Sequence, residues 1–356
     1  MSIKIIAFTR YANNGASSRL RIYQYIDPLK SYNIDIESSP LFNENYINLL
    51  YSGRGRSLFI VITCYIRRVI KLISVAKYDL VIIEKELFPY LPSVFESLLY
   101  FFQKKYIVDY DDAVFHLYDQ SNNFYIKLLS KKIDVIMRKS NLVICGNEYI
   151  ANRAQVANAK NIEIIPTVVD INKYQVLEKK IASDSSIVIG WIGHPSSVHC
   201  LEVVRESLEV LSGEFNIVLH VIGAEFNSDI FKVKCIDWTE NSENESIQAI
   251  DIGIMPLIDA PLERGKCGYK LIQYMACGKP IIASPVGVNE KIVKESSAGY
   301  LAITVVDWTK ALSILCGSEN LRGEYGYAAR KYIVKEYSMQ TKLPILANLI
   351  IKLNQN

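Results

Sequence analysis

The chain of 356 residues is half hydrophobic and 22% charged, enough for sizeable cores, which excludes a largely disordered protein. Domains run to roughly 100–200 residues each, so two are expected. The formal net charge of +3 is too weak to argue for a nucleic-acid partner, and none is expected.

Taken in chain order, Met1–Phe8 lacks the tripartite pattern of a secretory leader and reads as a first buried strand. Further strand-like runs are Leu80–Ile83, Tyr106–Val108, Leu142–Cys145, Ile162–Ile165, Ile187–Ile192, Ile217–Ile222, Ile252–Met255 and Ile281–Ser284. Amphipathic helical stretches between them include Arg19–Leu29, Val94–Gln103, Lys127–Lys139, Cys200–Leu211 and Tyr269–Cys277. This alternation predicts an α/β protein with parallel sheets covered on both faces. The pattern restarts after Pro166, with Thr167–Asp170 as connector before the polar stretch Glu178–Ser186. Two Rossmann-like, doubly wound domains facing a cleft follow, over residues 1–168 and 169–335. Residues 336–356, with the helical stretch Gln340–Leu353, are expected to pack back on the first domain.

The seven cysteines (Cys64, Cys145, Cys200, Cys235, Cys267, Cys277 and Cys316) are odd in number and never spaced C-x-x-C. Reduced thiols fit better than a disulfide framework or a zinc site, so a cytoplasmic location is expected. Ser57–Ile66 is nearly all apolar, but Arg67 and Arg68 interrupt it well short of the ~20 residues a membrane span needs. On a helix, Arg56, Thr63, Arg67, Lys71 and Ser74 share one face. Two readings are open: a basic amphipathic helix in peripheral contact with an anionic membrane, such as the cytoplasmic face of the inner membrane, or a core helix with a solvated face.

The unit from Asp251 to Gly287 carries the densest functional signal. Strand Ile252–Met255 is followed by Pro256 and a polar loop to Gly268, then by a helix whose apolar side holds Leu271, Ile272 and Met275. Ligands of open α/β sheets sit beyond the carboxyl ends of the strands, and a helix N-terminus there offers free N–H groups and partial positive charge to an anion. Gly265 and Gly268 permit close backbone approach, while Arg264, Lys266 and Lys270 add full charge. A diphosphate leaving group needs this combination, because negative charge grows on it as the bond to it breaks. Neither a Walker A loop nor the dinucleotide glycine pattern is present, and the lack of the latter argues against a dehydrogenase.

The segments Asp251–Leu257 and Arg264–Gly287 resemble the donor region of family 4 glycosyltransferases, also grouped as glycosyl transferases group 1. The likeness covers most of the second half. Gly15–Arg21, Asp109–Asp112 and Ile165-Pro166 match more loosely. The resemblance implies the GT-B fold and a retaining enzyme that needs no metal and takes a nucleotide-sugar (an NDP-sugar) as co-substrate. Many members carry two glutamates that align here with Gly265 and Gln273. The first contacts the transferred sugar, a role Gly265 cannot fill, with Glu263 and Arg264 as candidate substitutes. The second binds the ribose, and Gln273 keeps hydrogen-bonding capacity for that role.

The same resemblance places donor phosphate contacts in the turn Gly193-His194-Pro195-Ser196-Ser197, where Ser196 or Ser197 is also a plausible helix cap. The family's usual Arg/Lys pair has no match there beyond His199 and Arg205, so charge neutralisation shifts to Lys266 and Lys270. Gly15 and Arg19 form a loop that holds either the sugar phosphate or the acceptor, or is simply a charged helix start. Asp109, Asp111 and Asp112, with His116 nearby, suggest magnesium or acid–base chemistry on residue type alone. By resemblance, Asp111 instead lies near the reacting sugar and orients the acceptor hydroxyl. Ile236-Asp237-Trp238 is a candidate base-binding wall with Trp238 as its face, and His220 reads as a core histidine.

The expected catalytic set is Lys266, Lys270 and Asp111. The expected donor-binding set is Gly15, Arg19, Gly193, His194, Ser196, Trp238, Arg264, Gly268, Tyr269 and Gln273. The expected reaction is transfer of a sugar from an NDP-sugar to a hydroxyl of a glycan or lipid-linked glycan, in polysaccharide or O-antigen assembly. A nucleotide-sugar epimerase of the same fold and a catalytically silent binding subunit are the alternatives.

Overall fold

A computed structural model describes residues 2–44, 46, 58–176 and 186–355. Arg56 and Ser57 of the predicted basic helix, and all but the last residue of the polar stretch Glu178–Ser186, lie outside the described residues. The chain forms two compact units: residues up to Thr167 together with those from Lys342 on, and Val168–Thr341.

The first unit contains a parallel sheet of β1 (Ile3–Tyr11), β2 (Ile34–Phe42), β3 (Leu80–Glu84), β4 (Tyr106–Tyr110), β5 (Leu142–Cys145) and β6 (Ile162–Ile164), in the order β2-β1-β3-β4-β5-β6. The central strands are near-continuous apolar runs because both faces are covered. Ile5 pairs with Leu80 and Ile83 with Val108, and all four residues are buried. The helices are α1 (Ala16–Ser18), α2 (Gln24–Leu29), α3 (Leu58–Ile73), α4 (Val94–Phe101), α5 (His116–Asp119), α6 (Phe124–Lys127), α7 (Lys132–Lys139) and α8 (Glu148–Val156).

Two predicted helices differ in detail. The one expected over Arg19–Leu29 starts at Ala16 and passes through a π-helical turn, Arg19–Tyr23. The one expected over Lys127–Lys139 is split between α6 and α7.

The larger correction is the orientation of α3. Its inner side carries Arg68, which is 2% exposed and donates to the carbonyls of Thr9 (2.6 Å) and Ser39 (2.9 Å). Arg67 reaches the Leu41 carbonyl at 3.1 Å, and Lys71 pairs with Glu37 at 2.5 Å. The outward side presents Phe59, Ile62, Ile66, Ile70 and Ile73. The reading of a core helix with a solvated face holds in part: Ile60, Val61, Cys64, Tyr65 and Leu72 pack inward, while the exposed side is largely apolar. The Arg68 guanidinium finds backbone acceptors at the ends of β1 and β2, and that satisfaction lets one charge of the helix lie inward.

The second unit holds β7 (Ile187–Ile192), β8 (Ile217–Ile222), β9 (Lys232–Ile236), β10 (Ile252–Met255), β11 (Ile281–Ala283) and β12 (Gly299–Leu301), all parallel, in the order β12-β11-β10-β7-β8-β9. Its helices are α9 (Arg205–Ser212), α10 (Glu243–Gln248), α11 (Pro261–Arg264), α12 (Tyr269–Ala276), α13 (Val288–Ser296), α14 (Val305–Gly317) and α15 (Glu319–Glu336). The helix predicted over Cys200–Leu211 is a 3-10 helix as far as Val203 and becomes α-helical only at Arg205. The loop expected from Pro256 to Gly268 contains α11, a single turn opened by Pro261. Apolar clusters cover both faces of this sheet, one containing Met255 and Tyr274 and the other Trp191 and Trp308. The last helix, α16 (Met339–Gln355), begins in the second unit, and its residues from Lys342 on belong to the first.

Strand order fixes where each sheet can hold a ligand. Neighbouring strands whose connections leave in opposite directions open a crevice at their carboxyl ends. In the first unit that point lies between β1 and β3, and in the second between β7 and β10.

Candidate functional site

At the switch point of the second unit, β7 leads into Gly193 and β10 leads to the loop before α12. Tyr274 bolts α12 in place: its hydroxyl accepts from the Ile192 amide at 2.9 Å and donates to the Ile254 carbonyl at 3.3 Å. Gly268 caps the helix with φ +68°, a left-handed conformation that favours glycine. From this start Lys270 extends over the Trp191 ring, with Nζ 5.4 Å from the centroid, a cation–π geometry.

Gly193 is required by the same packing. A Cβ there would lie 2.5 Å from the Trp191 ring and 2.9 Å from Lys270 Cε. The Gly193 carbonyl in turn faces Gly223, where a Cβ would sit 2.7 Å from it and 3.2 Å from Trp238 Cβ. Trp238 donates its indole N–H to Glu243 at 2.8 Å, and Tyr174 donates to the other Glu243 oxygen at 2.5 Å. Tyr174 also hydrogen-bonds Tyr269.

Gly193, Trp238, Gly268, Tyr269 and Lys270 are thus brought together. The cap of the 3-10 helix that follows is His194, not Ser196 or Ser197: its Nδ1 accepts from the Ser196 amide at 3.2 Å, and both serines lie inside the helix. Gln273 is 3% exposed on the inner side of α12. Lys266 lies 3.9 Å from Glu263. Arg264 makes a two-pronged pair with Asp259 at 2.6 and 2.9 Å, and these hydrogen bonds hold the Asp259 carboxyl below its ordinary range. Arg205, one of the alternative cations, is paired with Glu202 at 2.6 Å.

The first unit gathers a second cluster at its own switch point. Ser18 Oγ donates to Glu84 at 2.6 Å, the Arg10 amide donates to the same oxygen at 2.8 Å, and Ser17 Oγ donates to Asp111 at 2.6 Å. Lys85 Nζ lies 2.9 Å from Asp111, and Lys85 adopts φ +64°, strained for a residue with a side chain. Burial pushes the Asp111 carboxyl up, but Lys85 and the Ser17 hydrogen bond outweigh it and leave the group below the usual carboxylate range. Glu84 is pushed up by burial, only partly offset by Lys85. Lys132 Nζ and Tyr118 Oη both reach Glu86 at 2.6 Å. Arg21 forks onto Asp109 at 2.6 and 2.9 Å and reaches the Ile165 carbonyl at 2.9 Å.

Asp109 and Asp111 therefore each face a cation of the chain itself. Among the described residues no group of three or more His, Cys, Asp or Glu is placed to hold a metal ion. Gly15 caps the helix that carries Ser17 and Ser18, and Arg19 is half-buried on its first turn. Behind the Arg21–Asp109 fork lies a cavity of about 20 Å³ lined also by Tyr25, Ile82 and Leu346. It has room for a water and none for a sugar. His116 contacts Asp119 and Tyr149, both at 2.8 Å, and His220 is buried within β8.

Sequence reasoning missed Glu84, Lys85 and Glu86. Their signal was three consecutive charges directly after the apolar run Leu80–Ile83. Tyr174, Trp191 and Glu243 gave no comparable signal.

These two sheets with flanking helices form the two-domain, Rossmann-like GT-B fold. Residues 186–317 match the family model described as glycosyl transferases group 1. Among solved structures, the chain is similar to sucrose-phosphate synthase from Thermosynechococcus elongatus (12% identity, TM-score 0.72, 99% of each chain covered). It is similar also to Anabaena HepE in complex with UDP-glucose (14%, 0.68, covering 98% of this chain and 100% of that one). A third is WaaG, a glycosyltransferase involved in lipopolysaccharide biosynthesis (12%, 0.68, 98% and 99%). Comparison with curated proteins returns no significant match.

Proposed function

We propose that this protein is a retaining glycosyltransferase that moves a sugar from an NDP-sugar to a hydroxyl of a glycan or lipid-linked glycan. The observation that carries this reading is Lys270, held over Trp191 against the Gly193 turn at the second unit's switch point. A cation, a glycine turn and a helix N-terminus converge there, which suits a diphosphate. The match of residues 186–317 to glycosyl transferases group 1 supports it, as does UDP-glucose bound by HepE.

In this mechanism the sugar leaves and the acceptor oxygen arrives on the same face. Lys270, the amide N–H groups at the start of α12 and Lys266 neutralise the departing diphosphate. Trp238 and Tyr269, tied through Glu243 and Tyr174, supply the wall for the base. The first unit's Ser17–Asp111–Lys85 cluster receives the acceptor hydroxyl, with Asp111 as an ionised hydrogen-bond acceptor. No step requires a metal. Glu263, near Lys266, is the carboxylate nearest in sequence to the aligned glutamate position now held by Gly265. Assembly of a polysaccharide or O-antigen is the setting this chemistry fits.

A thermal-shift screen over UDP-, GDP- and ADP-sugars is expected to single out one base, followed by transfer to a lipid-linked acceptor that persists in EDTA. Isomerised donor without acceptor would replace the reading by an epimerase, and binding without turnover by a silent subunit. Gly193→Ala should weaken donor binding by about tenfold or more, because its methyl would displace Lys270 or Trp191. Calorimetric titration with the selected nucleotide checks this, and unchanged affinity would remove the turn from the site.

A further inference from the structure

We propose that Glu84 is a positioning residue for the acceptor hydroxyl: it holds a proton that it donates to Ser17, and Ser17 in turn donates to Asp111, which stays the ionised member of the pair. The role at the acceptor rests on the glycosyl-transfer reading; the place of the proton does not.

The assignment follows from the number of hydrogens available. Glu84 Oε2 accepts from the Ser18 hydroxyl at 2.6 Å and from the Arg10 amide at 2.8 Å. The Ser18 oxygen accepts from the Tyr11 amide at 3.0 Å. The Ser17 oxygen stands between two carboxyl groups, 3.1 Å from Glu84 Oε1 and 2.6 Å from Asp111 Oδ2. A hydroxyl has one hydrogen to give. The shorter contact has the length of a charge-assisted bond to a carboxylate, so that hydrogen goes to Asp111. Glu84 Oε1 then faces a lone pair of Ser17, and the contact is attractive only if Oε1 carries a hydrogen of its own.

Burial and charge agree with this count. Glu84 is 1% exposed, and a carboxylate buried so deeply calls for a paired cation. Charged groups face it from β1 (Arg10), from α3 (Arg68), from its neighbour Lys85 and, past β4, from Asp111. None of these cations is paired with Glu84. Lys85 turns to Asp111 at 2.9 Å, Arg10 lies 3.9 Å from Glu86, and Arg68 is bonded to the Thr9 and Ser39 carbonyls. Burial pushes the Glu84 carboxyl up, while Asp111 is held below the usual range.

Neutral Glu84 fixes where the charge of Asp111 sits. Ser17 takes Oδ2 and Lys85 lies against Oδ1, so the carboxylate is held in one orientation toward an incoming hydroxyl. Were Glu84 ionised, two like charges would compete for the single Ser17 hydrogen and that orientation would be lost. Glu84 keeps its proton throughout turnover. The neutral acid is the active form, so activity falls as pH rises through the raised titration of Glu84.

Carbon-13 NMR of the full chain, labelled at the glutamate carboxyls and free of substrate, reads the proton directly. At neutral pH it should show a protonated carboxyl that Glu84→Gln removes. The alkaline fall of kcat should share the midpoint of that signal and vanish in Glu84→Gln, whose amide N–H donates to Ser17 in place of the acid. Glu84→Ala should lower kcat by about 10–100-fold, and Glu84→Gln should recover most of that loss. An ionised Glu84 at neutral pH would overturn the inference. So would equal losses in the two variants with the alkaline fall retained, which would make Glu84 a packing residue. If Glu84→Ala does not fold, the wild-type spectrum and the Glu84→Gln pH profile decide. A wild type that turns over no NDP-sugar removes the transfer reading and the positioning role with it, while the spectrum still locates the proton.

Discussion

Lys270→Ala is expected to lower kcat/KM by about 10²–10³, or roughly 3–4 kcal/mol of transition-state stabilisation. The loss should fall mainly on kcat. Charge on the diphosphate is greatest as the bond to the sugar breaks, and the ammonium over Trp191 is aimed at that charge. The fold should persist, since α12 is anchored by Tyr274 and not by Lys270. Lys266→Ala should cost less, because Lys266 lies beside Glu263. Steady-state kinetics with the selected donor, alongside circular dichroism, distinguish these outcomes. Near-normal turnover in Lys270→Ala would falsify the leaving-group assignment.

The second large effect concerns stability. Asp109→Asn removes the counter-charge of Arg21 inside the first unit, where both side chains are at most 5% exposed. Breaking a buried pair from one side leaves an uncompensated charge and costs about 3–5 kcal/mol. For a unit of this size the melting temperature should fall by at least about 6 °C. Replacing both residues, Arg21→Met with Asp109→Leu, should cost less than Asp109→Asn alone, because no orphan charge remains. If the double variant melts lower than the single one, the fork is more than a paired charge.

The parts of the fold that could be read from sequence share one physical property. Strands buried on both faces, such as Leu80–Ile83 and Ile217–Ile222, are unbroken apolar runs and stand out. The strands that were missed, β2, β9 and β12, all lie at sheet edges. There one side is less covered and the pattern is mixed, as in Lys232–Ile236, or too short, as in Gly299–Leu301. Edge strands advertise themselves least.

The glycines and lysines of the 264–270 segment were legible because their chemistry is local. Their meeting with Gly193, Trp191 and Trp238 was not, because it depends on strand order, which periodicity does not encode. Periodicity likewise showed that α3 has two faces without showing which one turns inward. Arg68 decides that question through carbonyls of Thr9 and Ser39, residues far away in the chain. In the first unit, the carboxylates of Asp109, Asp111 and Asp112 stood out by residue type and Asp111 among them by resemblance, while its partner Lys85 was hidden at a strand end.

The passage of α16 from one unit into the other has a consequence for how the protein is made. Leu346 lines the small cavity behind Arg21, and Lys105 holds the Leu353 and Asn354 carbonyls at 3.2 and 3.3 Å. The first unit's sheet leaves the ribosome early, yet the residues that close it are translated only after all of the second unit. A nascent chain therefore carries an unfinished first unit throughout synthesis of the second, with the flank of the Arg21–Asp109 fork uncovered. Completion of the two units is ordered by translation, and the earlier one to appear is the later one to be sealed.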